Sequence, residues 1–150
     1  MLDLILTSIL PNSYRNDLES LMFFHPHQQF LSSSIVESID SYGIPKINVT
    51  DGNIGIHIDN LQGVQSLFAL AAGDDRPELL GVMIFTRIST DTVILLHMVV
   101  RDDYSSIGPH KEAMVGLQMV EALRKLAASL RGVQWIRILY GKGSTLSVRR

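Results

Sequence analysis

The run Val93-Ile-Leu-Leu-His-Met-Val-Val100 constrains this chain more than any other stretch, because it is apolar on both faces of an extended strand. Such a strand belongs at the centre of a sheet, with apolar cover from a layer on each side. The 150 residues, 46% of them hydrophobic and 19% charged, supply enough apolar surface for one core. The expectation is therefore a single domain over residues 1–150.

The elements around that strand follow from hydrophobic period. Met1 to Leu10 reads as a first strand: it carries Asp3 where a secretory leader would be basic, and Pro11 stops it far short of a membrane span. Tyr14, Leu18, Leu21 and Met22 recur at helical spacing over Asn12 to Phe24. His25-Pro26-His27 interrupts this helix, and Phe30, Leu31, Ile35 and Ile39 mark a second one that Tyr42-Gly43 ends.

From Ile44 the period drops to two. Ile47 and Val49, then Ile54, Ile56 and Ile58, flank Asp51-Gly52, a pair suited to the positive φ of a tight hairpin turn. Val64 to Ala72, Leu79 to Ile88 and Val93 to Val100 then predict three antiparallel strands in series. A long helix is expected from Pro109 to Leu130, with Ala113, Leu117, Val120, Leu123, Ala127 and Leu130 on its apolar stripe and Gly132 closing it. Val133 to Tyr140 reads as a final strand, and 141–150 as a polar, basic tail with little to bury. The fold class is α/β in the broad sense (α+β): a mixed, mostly antiparallel sheet with two N-terminal helices and one long C-terminal helix.

Charge and composition exclude several functions. Thirteen Lys and Arg against fifteen Asp and Glu give a net charge of −2, which offers no general attraction to nucleic acid or an anionic membrane. No other stretch reaches the roughly eighteen apolar residues of a membrane-spanning helix. The absence of cysteine removes disulfides, thiolate metal sites and a cysteine nucleophile, and suits a cytoplasmic protein.

His97 is the candidate general base, since imidazole titrates near neutral pH; strict alternation would put it on the face of Val93, Leu95 and Val99. The alternative is a packed, hydrogen-bonded structural histidine. His25 and His27 lack a third ligand nearby and read as an interhelical turn, so no metal is expected. His57 points away from the flanking isoleucines, toward solvent.

The segment Met98-Val-Val-Arg-Asp-Asp-Tyr-Ser-Ser-Ile-Gly-Pro-His110 resembles the part of the GNAT acetyltransferase superfamily that runs from the central strand through an acidic-Tyr turn into a phosphate loop and helix. The element order is also similar to that of GNAT proteins, with the Ile47 to Ile58 hairpin as an addition. This resemblance implies acetyl-CoA or CoA as ligand. It puts the backbone of Met98 and Val100 against the pantetheine arm, and Ser105, Ser106, Gly108, His110 and Lys111 around the pyrophosphate, near a positive helix end.

The family pattern in the loop is Arg or Gln, two residues, Gly, one residue, then Gly or Ala. Here Ser105, Gly108 and His110 occupy those places, so one glycine remains. GNAT enzymes continue past the strand equivalent to Val133–Tyr140 into another helix and two strands, and this chain ends first. That departure implies an uncovered sheet edge and, from it, a homodimer. The implied activity is N-acetyl transfer to a small-molecule or protein amine, with His97 or water taking the amine proton and Tyr140 as a substitute acid for the thiolate. The competing reading is a non-catalytic ligand-binding or dimerisation module.

Overall fold

Asp51 and Gly52 both adopt positive φ, 54° and 80°, and so form the mirror-image turn that closes β3 (Lys46–Thr50) onto β4 (Asn53–His57). The Asp51-Gly52 pair is what makes this turn inexpensive. Ile54 and Ile56 point inward from β4, while His57 is exposed beside Asp59. The short β2 (Leu10–Pro11) pairs with the other side of β4, giving a three-stranded sheet ordered β2-β4-β3.

The computed structural model describes residues 3–23, 42–73, 75–104, 108, 110, 114–139 and 144–149. They form a mixed α+β fold with a mostly antiparallel main sheet. Its strands are β1 (Leu4–Thr7), β5 (Gln65–Ala71), β6 (Glu78–Arg87), β7 (Thr92–Val100), β8 (Trp135–Ile138) and β9 (Ser144–Ser147), in that spatial order. Only β7 and β8 run parallel, in register from Thr92 with Trp135 to Leu95 with Ile138. A parallel pair needs a crossover, and the helix α2 (Val115–Ser129) supplies it.

The main sheet has a core on each face, as the apolar run of β7 demands. One core joins Ile84, Ile94 and Leu96 to the small sheet and to α1 (Arg15–Phe23), through Leu18, Leu21 and Met22. The other joins Leu80, Met83 and Leu95 to Val115, Met119, Leu123 and Ala127 of α2. Fully burying a Leu, Ile or Met contributes roughly 1.5–3 kcal/mol, so these two faces are the main source of stability. Gly81 sets how closely α2 approaches: a β-carbon there would lie 2.8 Å from Met119 Sδ and 2.9 Å from the Val99 carbonyl oxygen.

Three expectations are corrected. The helix expected from Pro109 begins at Val115, because Met114 takes left-handed φ and ψ of 52° and 43° and cannot continue a helix backward. Its buried stripe is Val115-Met119-Leu123-Ala127, a row of four-residue steps, and Leu117 is 53% exposed. Within the expected polar tail, Ser144–Ser147 is β9, which pairs antiparallel with β8; Leu146 is half-buried and Val148 buried. β9 thus pairs with the outer edge of β8 and itself forms that end of the sheet. The second expected helix, its His25-Pro26-His27 boundary and the tail's ends lie outside the described residues.

Candidate functional site

The site of interest begins where β8 stops. Among the described residues the parallel ladder runs to Leu95↔Ile138, and the Leu139 amide donates to the Leu95 carbonyl at 3.2 Å. β7 runs on for five more residues, still paired with β6 through Val99↔Val82 and Val100↔Gly81. The Arg101 amide donates to the Leu80 carbonyl at 2.7 Å, so Arg101 faces β6. By alternation, the peptide groups of Met98 and Val100 are directed away from β6.

The first turn of α2 lies against this end of β7. A β-carbon on Gly116 would be 3.7 Å from Met98 Cε and 3.9 Å from Val100 Cγ2. The first intrahelical bond is from the Gln118 amide to the Met114 carbonyl, at 3.0 Å. The amides of Val115, Gly116 and Leu117 therefore have no intrahelical acceptor, and Met114 caps none of them through its side chain. A helix N-terminus and the outward backbone of a strand meet here.

The residues expected to hold phosphate are only partly in this place. Gly108 is packed on the turn Asp102–Tyr104, where a β-carbon would come within 2.2 Å of the Asp102 carbonyl oxygen, so its small size serves that close approach. The His110 amide donates to the Asp103 carbonyl at 2.8 Å, and its ring stacks on Tyr104 with centroids 4.8 Å apart. Arg101, a cation at the same end, is held by Asp103 at 2.8 Å and Glu78 at 3.1 Å. Those carboxylates raise its pKa above the usual arginine value against the effect of burial. Ser105, Ser106, Lys111 and Tyr140 lie outside the described residues.

His97 occupies a different environment from the one alternation suggests. Ile84 pairs with His97 but Phe85 with Leu95, so Leu96 is an extra residue and β7 carries a bulge. The bulge turns His97 to the side of Ile84 and Val99, on the α1 face, while Val93 and Leu95 stay on the α2 face. His97 is buried, its Nε2 has no hydrogen-bond partner among the described residues, and burial lowers its pKa from 6.5 to about 4. It is neutral at physiological pH and a weak base.

Sequence reasoning missed Met114 and Gly116. A clue was present: the same loop pattern, moved six residues toward the C-terminus, falls on Lys111, Met114 and Gly116, with glycine in the final place. Met114 in the left-handed region stands where the pattern has its first Gly. Among the described residues no group of three metal-ligating side chains converges, and no helix is long and apolar enough to cross a membrane. No family model matches the chain, and no curated protein or solved structure is significantly similar to it.

Proposed function

We propose that the chain is a GNAT-like binder of CoA thioesters, with the pantetheine arm along β7 beyond Leu95 and the pyrophosphate at the start of α2. The observation that carries this reading is the meeting of the first turn of α2 with the end of β7, where Gly116 lies against Met98 and Val100 and the amides of Val115, Gly116 and Leu117 have no acceptor among the described residues. The Val100 peptide group, directed away from β6, would meet the amide groups of the pantetheine or polarise the thioester carbonyl. Gly116 packs its bare Cα side against Met98 and Val100, and the dipole of the helix end beside it favours the charge of a phosphate.

Acyl transfer to an amine is the reaction that this arrangement suits. His97, with a pKa of about 4, is a poor acceptor for an ammonium proton, so the amine has to lose that proton to water before attack. The same weakness favours a second reading, a module that binds acyl-CoA without turning it over. Calorimetric titration with CoA and acetyl-CoA tests the shared binding step, and release of free thiol in the presence of amines separates the two readings. At a hundred times Kd, a ligand stabilises by about 2.7 kcal/mol, enough to raise Tm by roughly 5–10 °C. No heat and no shift in Tm at millimolar CoA rejects both.

A further inference from the structure

The opposite end of the main sheet carries a second cluster. Ile136, Leu146 and Val148 point toward α2, so strand alternation turns Trp135, Arg137, Thr145 and Ser147 to the other face. Trp135 is the only tryptophan in the chain, and 42% of it is exposed. Two open clefts share Trp135 in their lining: one of about 520 Å³ that also includes Arg131 and Arg149, and one of about 350 Å³ that includes Ile88 and Arg137.

One exposed tryptophan would call for no explanation; the charge around it does. Arg131, Arg137 and Arg149 are all exposed, and none has an ion-pair partner among the described residues. Neither cleft is lined by an acidic side chain. The nearby Asp91 carboxylate already accepts from Ser89 Oγ and Thr92 Oγ1, both at 2.9 Å. A chain of net charge −2 therefore gathers around its only tryptophan three arginines that have no ion-pair partner among the described residues, with the Asp91 carboxylate as the nearby negative charge.

We propose that this face binds an extended acidic peptide segment of a partner protein. An apolar side chain of the peptide packs on Trp135 and Ile88, and flanking carboxylates pair with Arg137 on one side and with Arg131 and Arg149 on the other. Two open clefts that share one tryptophan fit a chain that runs from one to the other better than a small molecule that needs enclosure. A second copy is disfavoured, because a two-fold contact through this face sets the arginines against one another. Three arginines on an acidic protein also make a short footprint for nucleic acid. This site is independent of the CoA reading.

Trp135 fluorescence reports the site directly, without a label. The probe is a capped, extended peptide of alternating Glu and Leu; the control carries Lys in place of Glu. The expected result is a saturable blue shift with the Glu peptide alone, weakened severalfold by added salt and tenfold or more by Arg137→Glu with Arg149→Glu. The proposal is overturned by no saturable change at millimolar peptide, by an equal response to the Lys peptide, or by unchanged binding in the double variant. A shift that tracks protein concentration alone assigns the face to self-association, and tighter quenching by a single-stranded oligonucleotide assigns it to nucleic acid; either result also overturns the proposal.

Discussion

Lowering the pH should destabilise the protein through His97 specifically. In the folded state burial holds its pKa at about 4, whereas in the unfolded chain it returns to about 6.5. Between those values the unfolded state binds more protons, so the stability present above pH 6.5 is lost as the pH falls and levels off below about 4. The full difference corresponds to about 3 kcal/mol, of which about 2 kcal/mol is expressed between pH 7 and pH 5. Urea unfolding at pH 7, 6 and 5 measures it, provided that the slope with denaturant stays constant. His97→Leu removes the titrating group and the unsatisfied Nε2, so its curve should be flatter by about 2 kcal/mol over this range, with little change at pH 7. Every other titrating group is common to both proteins and cancels. Parallel loss of stability in wild type and variant would refute the reasoning, and would mean that His97 is hydrated or partnered.

Other expectations follow from the same geometry. Met114→Gly should stabilise by about 0.5–1 kcal/mol in thermal unfolding, because the exposed Met114 gives up little packing while glycine takes positive φ without strain; a lower Tm would mean that α2 does not start there. Gly81→Ala should cost on the order of 1–3 kcal/mol, and Met119→Ala should restore only part of it, since the Val99 carbonyl oxygen cannot move aside as a side chain does. Val148→Asp should cost about 3 kcal/mol or more in chemical unfolding if β9 is part of the core, whereas a solvated tail would tolerate it within about 0.5 kcal/mol.

Where two independent signals coincide, the sequence is a good guide. The hairpin combines alternating isoleucines with Asp51-Gly52, and β7 combines a long apolar run with turn residues at both ends. The start of α2 was not legible, because nothing in the letter Met114 announces a left-handed residue and Gly108-Pro109 imitates a helix start. β9 was obscured by the glycines and charges around it, although Leu146 and Val148 already alternate with serine. The bulge at Leu96 has no sequence mark either, and it decides which face receives His97. The candidate site combines these cases: its strand could be read directly, but its helix end depended on the backbone of one residue.

Amide NMR during a titration with CoA tests the central claim most directly. Binding at this site gives saturable shifts for Val100, Val115, Gly116 and Leu117, with the Trp135 indole and the Asp51-Gly52 turn unmoved. Saturable shifts confined to other residues, or none at millimolar CoA, would contradict a thioester site between the end of β7 and the start of α2.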